Sequence, residues 1–128
     1  MPISVTWDND GKTILMRKMT NPWTWQDYGD AMKVVHQMLS EVEHTVDIIV
    51  DCTEINDLPD GALGTLAKSN RQYPTNMGKQ YIVSSSYFIE IFSSMLADMA
   101  SSKKSLFIHK LTMQEAYADI QAEREKSQ

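Results

Sequence analysis

Apolar and hydroxyl side chains alternate from Ile3 to Trp7, which is the period of a β-strand with two different faces, and residues 13–19 are first apolar and then mixed. Residues 3–7 and 13–19 form two predicted strands, and the turn sequence DNDG at residues 8–11 separates them. Asn, Asp and Gly tolerate the backbone angles of a tight turn, so we predict a β-hairpin here. An Asn-Pro pair at residues 21 and 22 ends the second strand.

From residue 24 onwards the pattern is typical of helices that alternate with short apolar strands. A helix is predicted after an N-cap at Thr24, with one apolar stripe formed by Trp25, Tyr28, Met32, Val35, Leu39 and Val42. Further strands are predicted at residues 46–51, 80–83 and 106–109, and further helices at residues 60–73 and 88–99. A last helix follows a capping box formed by Thr112 and Glu115, and residues 123–128 are expected to fray.

The predicted order of elements is ββαβαβαβα, and this order indicates the fold class. Alternating strands and helices favour parallel pairing with right-handed crossovers, while the opening hairpin adds an antiparallel edge. Residues 46–51 are apolar on both faces, as expected for a central parallel strand. We therefore predict a single α/β domain over residues 1–128, with a mixed, mostly parallel sheet of five strands covered by four helices.

Composition and charge narrow the classes of partner. The 128 residues carry a net charge of -5, which disfavours nucleic acid, because nucleic-acid binding needs a basic face. No apolar run is long enough for a membrane span, and no signal sequence is recognisable, so we expect a cytoplasmic protein. Cys52 is the single cysteine, and its place at the end of an apolar run favours a small core residue over a reactive thiol.

The stretch DCTEINDLPDGALGTL, from Asp51 to Leu66, runs from the predicted central strand through an acidic turn into a helix. With the element order of nearly the whole chain, it resembles the STAS-like domains, the sulfate-transporter and anti-sigma-factor-antagonist group, in their small single-domain form. That family has an aspartate in the central strand and then an Asp-Ser-Ser-Gly-Leu-Gly-like turn that opens a helix. Aligned on Asp51 without gaps, Leu63, Gly64 and Leu66 match.

The resemblance also identifies a departure at the family's switch position. In signalling members a partner kinase phosphorylates the second serine of the turn, and its counterpart here is Gly61, or Asp60 after a shift of one residue. Neither bears a hydroxyl group. We therefore expect a permanently set loop in which the Asp60 carboxylate caps the following helix, with Thr53 and Thr65 as the remaining chemically competent acceptors.

Signatures of catalysis are missing from the sequence. It contains no glycine-rich phosphate loop and no Gly-x-Ser-x-Gly elbow. His36, His44 and His109 are too dispersed to indicate a metal site, and Asp57 and Asp60 are typical of turns and helix caps. We predict a protein without enzymatic activity, cofactor or metal, and an enzyme that uses the acidic loop is the weakest of the alternatives.

The predicted topology indicates where a partner would bind. Ligands of open α/β sheets bind outside the carboxyl ends of the strands, where four short loops open helices in this chain. We predict partner-binding residues on that rim, corresponding to the switch loop and the loop before the third helix: Asp57, Asp60, Gly61 and Ser85. The principal hypothesis is a STAS-like module that acts through protein–protein interaction, and a homodimer is left open.

A second hypothesis is a carrier or sensor of a small apolar, lipid-like ligand. A branch of small bacterial proteins is similar to both STAS and SEC14-type lipid-binding domains, and the Trp23-Thr24-Trp25 entry to the first helix resembles that branch. Trp25 is expected in the core, while Trp23 either packs on the helix or is exposed. The residues proposed for an apolar ligand lie on the third helix: Phe88, Phe92, Met95 and Met99.

Overall fold

The computed structural model describes residues 2–69, 74–99 and 107–126 and confirms the predicted α/β fold and element order. Residues 70–73 of the predicted second helix and residue 106 of the predicted last strand lie outside the described residues. The elements are β1 (Ile3–Trp7), β2 (Ile14–Thr20), α1 (Trp25–Leu39), β3 (Val46–Glu54), α2 (Ala62–Ser69), β4 (Met77–Val83), α3 (Tyr87–Met99), β5 (Phe107–Lys110) and α4 (Met113–Lys126).

The five strands form one sheet in chain order, β1-β2-β3-β4-β5. β1 and β2 pair antiparallel, and the other neighbours pair in parallel. Asn9 holds the hairpin turn, because its side-chain carbonyl accepts a hydrogen bond from the Thr13 amide at 3.0 Å and its NH₂ group donates to the Thr13 hydroxyl at 2.7 Å. Because β2 to β5 are parallel, their carboxyl ends share one edge of the sheet.

Each face of the sheet buries its own core. The larger core lies under α1, α2 and α3 and includes Leu15 and Ile48 of the sheet with Val35 of α1. The smaller core lies under α4 and includes Ile49 of the sheet with Ile120 of the helix. Because Ile48 and Ile49 are neighbours in β3 and both fully buried, this strand is covered on both faces, as its sequence predicts.

Several boundaries differ from the predicted ones. α1 ends at Leu39 rather than Val42, because Ser40 caps it and donates its hydroxyl to the Gln37 carbonyl at 2.6 Å. β3 extends to Glu54, and β4 begins at Met77, three residues before the predicted start. Glycine and lysine at positions 78 and 79 weaken the strand pattern there, but pairing with β3 extends the strand through them.

The expectation that residues 123–128 fray is wrong for the described part of this segment. α4 continues to Lys126, because Arg124 anchors its last turn. The Arg124 guanidinium donates to the Thr13 hydroxyl and carbonyl, each at 2.8 Å, and contacts the Asp47 carboxylate at 3.2 Å. Charge-assisted hydrogen bonds of this kind hold the end of the helix against the hairpin.

Candidate functional site

Two hydrogen bonds join the first two loops at the carboxyl edge of the sheet. The Asn21 side chain donates to the Asp57 carboxylate at 2.9 Å, and the Trp25 indole donates to the Asp60 carbonyl at 3.0 Å. Asp57 and Asp60 are exposed, and so they face solvent from a loop whose backbone is fixed. The structure thus places these two predicted site residues on the same rim, where each bonds a different residue of the preceding loop and helix.

The expected cap of α2 is wrong. Gly61 occupies the N-cap position, where its carbonyl accepts a hydrogen bond from the Thr65 amide at 3.0 Å. Its φ of 77° lies in the left-handed region that favours glycine. Within the described residues the Asp60 carboxylate makes no hydrogen bond to the helix, and only its backbone carbonyl is bonded. The backbone conformation of Gly61, rather than an acidic cap, shapes this turn.

The loop between β4 and α3 supplies the other predicted rim residue. The Ser84 hydroxyl is buried and accepts a hydrogen bond from the Ser86 amide at 3.0 Å, while the Ser86 hydroxyl accepts from the Ile89 amide at 3.4 Å and caps α3. Ser85 lies between them with an exposed side chain. Of the three serines, Ser85 is therefore the one directed away from the fold.

The two threonines near the switch loop have different environments. Thr53 donates its hydroxyl to the Asp51 carboxylate at 2.7 Å, and its amide bonds the same oxygen at 3.0 Å. Thr65 lies on the exposed side of α2. The Asp51 carboxylate thus forms a local turn with Thr53.

The three histidines lie apart in the structure. The His44 ring is 2.8 Å from the Lys12 carbonyl, the His109 ring is 2.8 Å from the Ser84 carbonyl, and His36 is exposed on α1. Among the described residues no three His, Cys, Asp or Glu side chains are arranged to hold a metal ion. The His44 and His109 rings instead bond loop carbonyls.

The outer face of α3 is apolar and exposed. The helix buries Ile89, Ser93 and Leu96 against the sheet, yet five more apolar side chains face outward and are 42–73% exposed: Tyr87, Phe88, Ile91, Met95 and Met99. We call these five residues the α3 surface. A helix that is apolar on both its buried and its outer face is normally covered on both.

The four residues proposed for an apolar ligand are divided by the structure. Phe88, Met95 and Met99 belong to the α3 surface, whereas Phe92 is partly buried and lines an internal cavity. Phe88 and Phe92 remain in ring contact, with centroids 6.5 Å apart. Phe92 therefore connects the outer surface with the interior.

The internal cavity lies between the sheet and α1, α2 and α3. Its volume is about 40 Å³, and most of its lining is apolar, including Leu58, Leu66 and Phe92. Cys52 also lines it, and burial raises the pKa of this thiol to about 12, so the group is neutral at pH 7. The prediction that Cys52 is a small core residue is confirmed.

Arg17 and Trp23 bring polar groups to this cavity, and sequence reasoning missed Arg17. Arg17 lies on the inward face of β2, between Leu15 and Met19, and is only 5% exposed. The alternation of β2 was the available signal, because it places residue 17 on the same face as two core residues. Trp23 is also 5% exposed, whereas Trp25 is half-buried, so the packed position of Trp23 is confirmed and the core position of Trp25 is only partly so.

The aromatic side chains at the start of α1 contact one another, and one of them contacts the Arg17 guanidinium. Trp23 contacts Trp25 edge-on at 5.2 Å and Tyr28 at 6.2 Å between ring centroids. The Arg17 guanidinium carbon lies 5.4 Å from the Tyr28 ring centroid, which is the geometry of a cation–π contact. Its Nη1 donates to the Met32 sulfur at 3.0 Å.

Comparison with known proteins does not identify a relative. The chain matches no family model, no curated protein and no solved structure. No helix among the described residues has both the length and the apolar character that crossing a bilayer requires.

Proposed function

We propose that this protein is a non-enzymatic binding module of the STAS-like type and that it binds a protein partner through the α3 surface. The supporting observation is the exposure of Tyr87, Phe88, Ile91, Met95 and Met99 on one helix. Covering apolar area removes it from water and contributes roughly 25 cal/mol per Å², so a partner helix or sheet face that fits here gains affinity directly.

Charge favours a partner other than a second copy of the chain. The charged side chains of α3 are Glu90 and Asp98, both acidic and both exposed. A two-fold symmetric contact across α3 would bring these carboxylates near each other, which opposes association. A partner with an apolar stripe flanked by lysine or arginine complements the surface.

The acidic rim extends the same surface. Leu58 and Phe92 line one cavity, so the loop that carries Asp57 and Asp60 lies beside α3. Ser85 lies next to Ser86, the cap of α3, which makes the predicted rim continuous with the first turn of the helix. A basic partner is therefore attracted by both the helix and the loop, and with Gly61 at the family's phosphorylated position this contact is expected to need no kinase.

Site-specific photocrosslinking in cells tests the proposal. Benzoylphenylalanine at Met95 should form a defined adduct with one other protein, whereas the same group at Val34 should not, because Val34 is an equally exposed but isolated apolar residue on α1. Ile91→Asp should abolish the Met95 adduct. Asp60→Asn should weaken it, since that change removes a charge but leaves the carbonyl that bonds Trp25.

The adduct's mass decides between the alternatives. A mass of two chains would indicate a homodimer and contradict the argument from charge. The absence of any Met95 adduct, with Phe88 and Met99 equally silent, would show that the α3 surface is not an interface.

A second candidate function, the carrier of a small apolar ligand, is favoured by a different observation. The cavity beneath α2 and α3 is lined mainly by apolar side chains, which is typical of ligand sites. Its contact with Phe92, and through that ring with Phe88, offers a route to the surface.

A further inference from the structure

A buried cation lies in the larger core without an anion beside it. Arg17 contacts the Met32 sulfur and the Tyr28 ring, neither of which bears a negative charge, and its Nε has no hydrogen-bond partner among the residues that the structure describes. No carboxylate of the described residues forms an ion pair with it. Burying a charged group is costly unless a counter-charge and hydrogen bonds accompany it.

A second donor at the same cavity is also unused. The Trp23 indole nitrogen is buried and has no acceptor in the part of the chain that the structure describes, whereas the neighbouring Trp25 indole is bonded to the Asp60 carbonyl. Buried indole N–H groups normally find an acceptor. Arg17 and Trp23 both line the cavity, so a ligand inside it lies next to both side chains.

We infer that Arg17 and Trp23 bind the carboxylate of a small apolar monocarboxylic acid inside this cavity. The inference rests on the second candidate function, the ligand carrier, and adds the chemistry of the ligand's head group. A carboxylate supplies both the negative charge that the guanidinium lacks and two oxygens to accept from two different donors.

Other occupants fit the cavity less well. Water would satisfy the two N–H groups but would leave the positive charge uncompensated. A phosphate, a sugar or a nucleotide needs many more polar partners than this mainly apolar lining provides. The Cys52 thiol, which is neutral at pH 7 because burial raises its pKa to about 12, does not repel an anion.

The size of the cavity indicates how the acid would lie. Its volume of about 40 Å³ exceeds the roughly 10–15 Å³ that one water needs, so it admits a head group but not a long chain. The tail would have to pass Leu58 and Phe92 and emerge beside Phe88 on the α3 surface. Affinity should therefore rise with chain length, by about fourfold for each methylene that becomes buried.

Titration of the purified full chain with octanoate and 1-octanol tests the inference. These probes share a tail and differ in head group, and protein-detected NMR reports both affinities. Octanoate should bind at least tenfold more tightly than octanol, as expected for a hydrogen bond to a charged group. Hexanoate should bind more weakly than octanoate.

Two variants identify the donors. Arg17→Met keeps an unbranched apolar side chain and should reduce octanoate affinity at least tenfold while leaving octanol affinity unchanged. Trp23→Phe should reduce octanoate affinity by a smaller factor. Without ligand, Arg17→Met should melt at or above the wild-type temperature, because it removes a buried charge without an ionic partner; a lower melting temperature would show that Arg17 stabilises the fold by itself and would overturn the inference.

The remaining outcomes separate this inference from the carrier function. Equal binding of octanoate and octanol would retain the carrier and overturn the carboxylate site. Binding of neither probe would overturn both.

Discussion

The two faces of the sheet are built differently. Under α4 the core is filled by residues such as Tyr81 and Ile120, and its border is closed by ion pairs between α4 and the sheet, Arg124–Asp47 at 3.2 Å and Lys79–Glu123 at 3.3 Å. Under α1 to α3 lie a cavity, a guanidinium that forms no ion pair with any described residue, and an apolar helix face open to solvent. One face is packed for stability, and the other contains the features that suit binding.

The largest expected effect compares two isoleucines on opposite faces. Ile49 is fully buried in the smaller core, whereas Ile82 lines the cavity. Ile49→Ala should lower the free energy of unfolding by about 4 kcal/mol. Ile82→Ala should cost only about 2 kcal/mol, because part of that side chain already lacks packing partners.

Urea denaturation with a common slope measures both values. Equal losses for the two variants would mean that the faces are packed alike.

A smaller effect is expected where β4 approaches Asp47. A Cβ at Gly78 would lie 2.5 Å from the Asp47 carboxylate oxygen that accepts from the Lys79 amide. Gly78→Ala should displace that carboxylate, which also contacts Arg124, and should lower the free energy of unfolding by about 2 kcal/mol. Thermal melts followed by circular dichroism report the change.

Gly29 provides the matched control. It lies in α1 with nothing within 4 Å of an added Cβ. Gly29→Ala should stabilise the protein by up to about 1 kcal/mol, because alanine is the better helix former. A loss of stability in Gly29→Ala, or no loss of stability in Gly78→Ala, would contradict the two environments described above.

The smallest expected effect is a change in folding stability with pH that arises from Tyr117 on α4. Tyr117 donates its hydroxyl to the Asp8 carboxylate at 2.7 Å, and burial, with this hydrogen bond next, raises its pKa to about 12. Since the folded pKa lies above the unfolded value of about 10, this contribution is complete below pH 10 and is lost as the pH rises towards 12. Tyr117→Phe should remove that part of the alkaline decline.

The contribution of Tyr117 is measured as the difference between the melting temperatures of wild type and Tyr117→Phe from pH 8 to pH 12. Taking the difference cancels the effect of the other groups that titrate at alkaline pH. Parallel curves would show that folding does not raise the pKa of Tyr117. The same variant should leave the octanoate titration unchanged, since it lies on the opposite face of the sheet.

The element order was predictable because it depends on local patterns. The strand patterns before residue 20 and the change to helical spacing after Thr24 lie within short windows of sequence, and the structure confirms both strands and the N-cap at Thr24. The extension of α4 was not predictable in that way. It depends on Arg124 meeting Asp47, 77 residues earlier in the chain.

The candidate site was predictable only in part. The rim follows from topology, because parallel strands bring their carboxyl ends together. The cavity does not, because Arg17, Trp23 and Phe92 come from three separate elements and meet only through tertiary packing. On α3, apolar residues occupy both faces, so periodicity alone could not tell the buried face from the exposed one.

The bond between Arg124 and Thr13 spans 111 residues and affects how the domain is completed during synthesis. Strands in chain order can join the growing sheet one after another as the polypeptide leaves the ribosome. The face that carries Ile49 and Tyr81 stays uncovered until α4 emerges. α4 therefore shields this one face of the nascent sheet, and until α4 is made the apolar side chains of that face are open to aggregation.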